Sequence, residues 1–159
     1  MKQFRALLPV IFIAAIIFHF SNQPYQKQDM RTSIGNYVSE EWVKEKLDFV
    51  SFDYAGKEIS IESIGVAGFI EFFIRKGAHF SIFFLLGFFL FRALENVGIS
   101  RKKAMLFTFI AIILYAILDE LHQMYTGDRT PLVQDVMIDV FGGITAIFLR
   151  SILVRKKGS

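Results

Sequence analysis

The chain has 159 residues, 53% of them hydrophobic, with 19 phenylalanines and a formal net charge of +3 at pH 7. This apolar content is typical of an integral membrane protein and not of a soluble domain, and the length is that of a single domain, residues 1–159. The sequence has no cysteine, which excludes a disulfide framework and any thiolate metal site or nucleophile.

Apolar segments of the length that a membrane-spanning helix needs, roughly 20 residues, recur along the chain. We expect helices at about 4–20, 69–91, 104–124 and 131–154. These segments predict an all-α, polytopic membrane protein with about four transmembrane helices. The second contains Arg75 and Lys76 and the fourth contains Asp139, so both are expected to face protein or water on one side.

The first apolar segment resembles a signal peptide, because Lys2 and Arg5 precede its apolar run. However, His19 and Phe20 occupy the positions before Ser21 where cleavage requires small residues. We therefore interpret this segment as a retained membrane anchor.

A long first loop, about residues 21–68, follows the anchor. Apolar residues between Ile34 and Val50 recur at helical spacing among charged ones and predict an amphipathic helix. Two placements fit: the outer leaflet with Trp42 at the interface, or packing over the end of the helix bundle. Alternating polar and apolar residues at 57–61 predict a short strand.

The basic residues predict the orientation of the chain. If the helices alternate from a cytoplasmic N-terminus, the inside segments hold ten of the 18 Lys and Arg residues and one acid, Glu95. The clusters 101–103 and 155–157 lie close to helix ends, where the positive-inside rule applies, and predict an N-in/C-in topology with an extracytoplasmic first loop. The pI near 9.2 is explained by this asymmetry, and no nucleic-acid partner is expected.

Polar residues interrupt the apolar segments at the end of the bundle that this topology places outside. We call the set the polar cluster: Arg75, Lys76, His79, Asp119, Glu120, His122, Gln123, Arg129, Asp135 and Asp139. Helical spacing groups its members, since residues three or four apart share a face. Such pairs are Lys76 with His79, Asp119 with His122 and Gln123, and Asp135 with Asp139.

The fourth segment carries signals for its start and for its packing. Thr130–Pro131 predicts an N-cap followed by the first helical position, and Asp135 then lies in the first turn. Gly142 and Ala146, four residues apart, predict close approach of another helix. A charge at a helix centre costs about 2.5–3.5 kcal/mol, so Asp139 is expected to be paired or protonated, with Lys76 or Arg129 as its counter-ion.

These residues together resemble a known family. The ordered set comprises Phe20-Ser-Asn-Gln-Pro24, Arg75-Lys-Gly-Ala-His-Phe80, Asp119-Glu-Leu-His-Gln123, Arg129, Asp135 and Gly142–Gly143. It is similar to the pattern of VanZ-like membrane proteins, over most of the chain except the first loop. The family's signature polar positions fall on Lys76, His79, Asp119, Glu120, Gln123, Arg129 and Asp135. The sequence departs from the pattern at Asp139, where the family more often has Asn, and at Ile82–Phe83, which replaces a more polar pair.

The resemblance implies a multi-pass protein of the bacterial cytoplasmic membrane whose namesake is associated with resistance to teicoplanin, a lipoglycopeptide. The implied partners are the lipid bilayer and a lipid-linked cell-wall precursor or the lipoglycopeptide itself. The resemblance supplies no biochemical mechanism, and the sequence does not indicate an oligomeric state.

Four interpretations of the polar cluster remain open. In the first, the bases Arg75, Lys76 and Arg129 bind an anionic lipid or cell-wall ligand at the outer face. In the second, the cluster is an ion-paired plug that locks the helices together. As an enzyme, it acts by acid–base chemistry or through a metal, although no nucleophile motif is present. As a proton-coupled carrier, it relays protons through its carboxylates. No cofactor is expected, and a metal only under the enzyme interpretation. Its nitrogen and oxygen ligands would come from His79, Glu120 and His122, with Asp119 and Asp135 as further candidates.

Overall fold

A computed structural model of the protein describes residues 2–127 and 131–155. Nearly all of the regular secondary structure in these residues is helical. In chain order the elements are α1 (Lys2–Ser21), a 3-10 turn (Tyr25–Gln28), α2 (Arg31–Tyr37), α3 (Glu40–Leu47), β1 (Phe52–Tyr54), β2 (Lys57–Ile59), α4 (Ile61–Asn96), α5 (Arg101–Gly127) and α6 (Val133–Arg155). Among the described residues, three helices, α4 to α6, are long and apolar enough to cross a membrane. α1 becomes a fourth span when it is counted together with the bent helical segment after it. The predicted all-α, multi-pass class is therefore confirmed.

The helix α4 is longer than the predicted segment 69–91, because a capping box starts it at Ile61. The Ser60 hydroxyl accepts from the backbone N–H of Ser63, and the Ser63 hydroxyl accepts from the backbone N–H of Ser60, both at 3.1 Å. Gly65 then interrupts the helix with φ +71°, a left-handed conformation that glycine adopts at little cost. A short first turn is thus joined to the long helix by a break.

The start of α6 differs from the prediction. The helix begins at Val133, two residues after Pro131, so Pro131 is not its first helical residue. Thr130, the predicted N-cap, lies outside the described residues. Asp135 does occupy the first turn, as expected from the favourable field at a helix N-terminus.

The long helices alternate in direction, which places α1 parallel to α5 and α4 parallel to α6. Two contacts for each helix pair show these directions. They are Lys76 with Asp135 and Glu95 with Arg150 for α4 and α6, Phe83 with Ile112 and Phe91 with Ala104 for α4 and α5, and Ala14 with Tyr115 and Ser21 with Asp119 for α1 and α5. One end of the bundle therefore collects the start of α4, the end of α5 and the start of α6. We call it the polar end, and the other, with Glu95 and Arg150, the basic end.

Small residues let α4 and α6 approach closely, as the sequence predicted. A Cβ atom on Gly142 would lie 2.3 Å from the carbonyl oxygen of Phe80, so only glycine fits there. Farther along, Gly87 lies against Gly143 and Ala146, where an added Cβ would be 3.2 and 3.4 Å away. This spacing brings side chains one turn away from Gly142 within direct reach of each other.

The core and the outer surface of the bundle are both apolar. Buried residues from three helices form the central cluster: Ile13, Ile17, Phe83, Leu86, Ile112 and Ala116. Large apolar side chains are also exposed on the outward faces, among them Leu8, Phe12, Leu118, Phe141 and Phe148. Such a surface is favourable in lipid and unfavourable in water.

The segment between α1 and α4 folds over the start of α4. The predicted single amphipathic helix was wrong, because Val38 is extended and Ser39 starts a new helix by accepting from the backbone N–H of Trp42 at 3.4 Å. Val43 of α3 is buried with Ile59, Ile61, Val66 and Phe69. The apolar face of α3 therefore packs on the bundle, while Trp42 stays 60% exposed.

The predicted strand at 57–61 is confirmed as β2, Lys57–Ile59. It pairs with β1, which the sequence did not reveal, in an antiparallel hairpin with Phe52 opposite Ile59. Ala55 and Gly56, with φ values of 57° and 76°, form a turn whose twist suits a two-residue hairpin. The hairpin carries Tyr54 to the polar end of the bundle.

Candidate functional site

Two charged pairs join α4 to α6 at the polar end. Lys76 Nζ lies 2.5 Å from Oδ1 of Asp135, and His79 Nδ1 lies 3.2 Å from Oδ1 of Asp139. The pairs match because the helices are parallel and Lys76 and His79 are three residues apart, while Asp135 and Asp139 are four apart. Asp139 is the more deeply placed acid, since its side chain is only 1% exposed.

Of the two counter-ions predicted for Asp139, Lys76 is contradicted by the structure. Lys76 lies about one turn nearer the start of α4 than the residue that faces Asp139, and it pairs with Asp135 instead. The partner of Asp139 is the imidazole of His79, one turn deeper in α4, and not the lysine that the sequence predicted. Arg129, the other predicted partner, lies outside the described residues.

Asp119 of α5 is buried and is held by neutral groups. The hydroxyl of Ser21, at the end of α1, donates to Oδ1, and the side-chain amide of Gln123 donates to Oδ2 at 2.8 Å. Ser21 and Gln123 are themselves buried. Both carboxylate oxygens are therefore fixed in direction, which ties α1 to α5.

Glu120, the neighbour of Asp119, has a different partner. Its Oε1 accepts from the backbone N–H of Leu132 at 2.7 Å, just before α6 begins. This hydrogen bond satisfies a donor ahead of a helix start and connects the end of α5 to α6. Glu120 thus has a structural partner of its own and does not share that of Asp119.

Tyr54 reaches the cluster from the hairpin. Its hydroxyl donates to Oδ1 of Asp135, and Lys76 Nζ lies 4.9 Å from the centre of its ring. Burial, and then the hydrogen bond to Asp135, raise the pKa of Tyr54 above its ordinary value. The phenol is therefore protonated and available as a donor throughout the physiological range.

A second charged group lies beside the cluster. Glu71 is buried, with its side chain 2% exposed, and Arg31 of α2 donates to its Oε2 from Nε at 2.9 Å. Arg75, one turn along α4, lies 3.7 Å from the other oxygen of Glu71, longer than a hydrogen bond. Arg31 therefore fastens the segment before α4 to the bundle, and Arg75 extends from there toward the polar cluster.

A cavity of about 450 Å³ lies between α1, α4 and the residues after α1, with α5 on one side. Its polar lining contains both bases and acids: Ser21, Gln23, Lys27, Gln28, Asp29, Arg75, His79, Asp119 and Gln123. Its apolar lining includes Ile16, Ile17, Ile74, Ala78, Ile82 and Phe83. The cavity thus has one polar region and one hydrocarbon-like wall.

The structure brings most of the predicted cluster together, with two exceptions. His122 packs its ring against Phe18, with centroids 4.7 Å apart, and is not in the group of ligating atoms that includes His79. Arg129 is not described. The metal-binding alternative centred on His79, Glu120 and His122, but in the part of the chain that the structure describes the ligating atoms within 4.8 Å of one another belong to His79, Asp119 and Asp139.

Several site residues escaped the sequence reasoning. Tyr54, Glu71 and Arg31 lie in or beside segments with weak patterns, and only the fold brings them near α4 and α6. Ser21 did have a signal, since it belongs to the stretch from Phe20 to Pro24 that supports the family resemblance.

Comparison with known proteins gives one family. The family model described as VanZ/LLP1 matches residues 6–154, nearly the whole chain. No match was found among curated proteins or among solved structures. The matched span contains every described residue of the polar cluster, and it includes the intervening segment with α2, α3 and the hairpin. The chain is therefore a multi-pass membrane protein of the VanZ/LLP1 family.

Proposed function

We propose that the protein binds an amphiphile with an anionic head group, such as a lipid phosphate or a lipid-linked cell-wall precursor, in the cavity between α1 and α4. The observation that carries this proposal is the division of the cavity into a polar region and an aliphatic wall. A lipid has the same division. The volume of about 450 Å³ is in the range of ordinary ligand sites.

The cationic residues of the cavity suit the head group. Arg75 and Lys27 line it from α4 and from the turn after α1. A guanidinium presents a planar fork of donors that matches the oxygens of phosphate or carboxylate. The chain of the amphiphile would lie along Ile16, Ile17 and Ile82, which continue from the polar region toward the middle of the bundle.

The basic residues support an orientation for this site. With both termini in the cytoplasm, the cluster at 101–103 faces inward and the polar end faces the outer leaflet of a bacterial cytoplasmic membrane. Envelope precursors and lipoglycopeptides meet the bilayer at that face. We therefore propose a role in teicoplanin-type resistance, through binding of such a precursor or of the lipoglycopeptide.

Lipid binding tests the proposal directly. Purified protein in detergent is titrated with short-chain phosphatidylglycerol and, separately, phosphatidylcholine, and bound lipid is measured by native mass spectrometry. We expect at least tenfold preference for the anionic lipid, lost in Arg75→Gln. Lys102→Gln removes a charge at the basic end and serves as the matched control, with preference unchanged. Equal affinity for the two lipids in the wild type would contradict the proposal.

Resistance is tested in a susceptible Gram-positive host. Cells that express the wild type are expected to tolerate more teicoplanin but no more vancomycin, and Arg75→Gln, inserted at equal abundance, is expected to protect less. If Arg75→Gln and the wild type protect equally, the cavity does not carry the effect.

A second function, an ion-paired plug that locks the helices, is favoured by the Lys76–Asp135 and His79–Asp139 pairs, both of which join α4 to α6. The two functions differ in what substitution changes. A plug predicts lower melting temperature for Lys76→Met with no change in lipid preference. Ligand binding predicts a lost preference in Arg75→Gln with the melting temperature retained.

A further inference from the structure

Three side chains from three helices meet beside the cavity. His79 of α4, Asp119 of α5 and Asp139 of α6 each place one ligating atom within 4.8 Å of the others. We propose that these residues, which we call the His-Asp triad, bind a divalent cation such as Zn²⁺ or Mn²⁺. The sequence predicts no cofactor, and its metal alternative includes His79 and Asp119 but not Asp139.

The separations suit a coordination sphere. His79 Nδ1 and Asp139 Oδ1 are 3.2 Å apart. Two ligands at the usual Zn–N and Zn–O distances of about 2.0–2.1 Å lie about 3.3 Å apart in a tetrahedral site. Opposite ligands of an octahedral ion are about 4.2 Å apart at Mg²⁺ distances and wider for larger ions. The three ligating atoms lie within 4.8 Å of one another, so the widest pair must close by up to about 1.5 Å to reach the tetrahedral zinc spacing and by less for a larger octahedral ion.

The local charge favours a cation. Asp119 and Asp139 are both buried, and among the described residues His79 is the basic group in direct contact with Asp139. Lys76 lies against Asp135 instead, and the groups that donate to Asp119 are the neutral hydroxyl of Ser21 and amide of Gln123. Two buried carboxylates with one imidazole hold up to two negative charges, which a divalent ion offsets.

The surroundings have the features of a built site. Gln123 and Ser21 fix the Asp119 carboxylate by hydrogen bonds, which is how outer groups orient metal ligands. His79 and Asp119 also line the cavity, so an ion has a route in and an open side. A donor set of one nitrogen and two carboxylates, without sulfur, suits Zn²⁺ or Mn²⁺ and not soft ions.

A cation there would add positive charge to the polar region of the cavity. It would lie beside the position that we assign to the anionic head group, and its open side would accept a phosphate oxygen. This consequence rests on the proposed lipid binding, whereas the metal site itself does not.

The metal site is tested with the full chain in detergent. Protein stripped with a chelator is titrated with ZnCl₂ and with MnCl₂ by calorimetry, and bound metal is counted by mass spectrometry. We expect one equivalent for the wild type and a melting temperature that rises with metal and falls again with chelator. His79→Ala and Asp139→Asn each remove a ligand and should weaken binding at least as much as the loss of an outer group that orients a ligand, which costs about 10–100-fold. His122→Ala, which removes a histidine outside the triad, is the matched control and should bind as the wild type does.

Three results would overturn the proposal: no stoichiometric metal on the wild type, binding that His79→Ala and Asp139→Asn leave unchanged, or equal loss in His122→Ala. Because Asp139→Asn keeps the size of the side chain, its circular dichroism and elution volume report whether it folds. If both variants misfold, the change in melting temperature of the wild type on adding metal decides whether the metal site exists. The affinity of the metal-stripped protein for phosphatidylglycerol separates the two proposals. If the stripped protein still prefers phosphatidylglycerol to phosphatidylcholine, the lipid-site proposal stands even when the metal-site proposal fails.

Discussion

The two ends of the helix bundle use charge differently. At the basic end, one guanidinium meets one carboxylate: Arg150 donates to Oε2 of Glu95 from Nη2 at 2.7 Å and from Nε at 2.9 Å. At the polar end, the imidazole of His79 contacts Asp139, neutral groups of Ser21 and Gln123 hold Asp119, and Lys76 pairs with Asp135. The first arrangement is a closed pair that stabilises helix contacts. The second leaves buried acceptors beside a cavity, which is the arrangement a ligand site requires.

The two ends of the bundle have cavities of similar volume, so volume alone does not identify a ligand site. The groove at the basic end, lined by Lys102, Met105, Leu106, Phe109, Ile144 and Ile147, has about 440 Å³, against about 450 Å³ at the polar end. Its lining is apolar apart from Lys102, as expected where lipid chains touch a helix pair. The lining therefore identifies the polar end as the candidate site, and substitutions at each end test that distinction.

The largest effect is expected from His79→Ala in metal-free protein. It leaves Asp139 buried without its partner, which costs about 3 kcal/mol of unfolding free energy. Glu95→Gln at the basic end keeps a hydrogen-bond acceptor for Arg150 and should cost about 1 kcal/mol. Chemical unfolding in detergent measures both. Equal losses would mean that the two ends do not differ in the way described.

Close packing of α4 and α6 at the polar end is tested by Gly142→Ala. The new Cβ would meet the Phe80 carbonyl at 2.3 Å, so the helices must separate, at a cost of about 1–3 kcal/mol. Gly77→Ala is the matched control in α4, because nothing lies within 4 Å of its Cβ position. That change should be neutral or stabilising by up to about 1 kcal/mol. If both variants melt alike, the helix contact at Gly142 is unimportant.

A smaller effect is expected from the pair of Lys76 and Asp135. A double-mutant cycle with Lys76→Met and Asp135→Asn should give a coupling of about 1–2 kcal/mol, because a charge-assisted hydrogen bond joins partly buried groups. The corresponding cycle for Arg150 and Glu95 should give a similar value. A coupling near zero at the polar end would show that Lys76 is not committed to Asp135.

The smallest effect is expected from Tyr54→Phe, which removes the hydrogen bond to Asp135 at a cost of about 1 kcal/mol. The pKa of Tyr54 is raised in the folded protein, so its contribution is fully present below the unfolded pKa of about 10 and is lost as pH rises above that value. The stability difference between wild type and Tyr54→Phe should thus be constant from pH 6 to 9 and decrease in more alkaline solution. A difference that changes between pH 6 and 9 would contradict this.

Much of the fold could be predicted because the bilayer imposes simple rules on sequence. Long apolar segments predicted the helices, and Gly142 with Ala146 predicted that another helix packs closely against α6, although not that this helix is α4. The bounds of α4 were missed because its start depends on a capping box and on a glycine break, which lie outside the apolar segment. The break between α2 and α3 was missed because periodicity continues through the extended residue Val38.

The candidate site was predictable in membership and less so in partnership. Spacing grouped Lys76 with His79 and Asp135 with Asp139, but it could not give the relative shift of two helices along their axes. That shift assigns His79 to Asp139. Tyr54 was missed because its partner Asp135 lies 81 residues away in the chain. Glu71 was missed because its partner Arg31 lies 40 residues away.

The sequence by itself determined the membrane class, the helices and the collection of polar residues at one end, because hydropathy and helical period depend only on local order. The tertiary structure decided which carboxylate meets which base, since that depends on the packing of Gly142 against Phe80. It also decided that Asp119 is held by neutral donors from α1 and α5, and that His79, Asp119 and Asp139 converge. Convergence of three helices is a property of distance in space, which spacing along the chain does not contain.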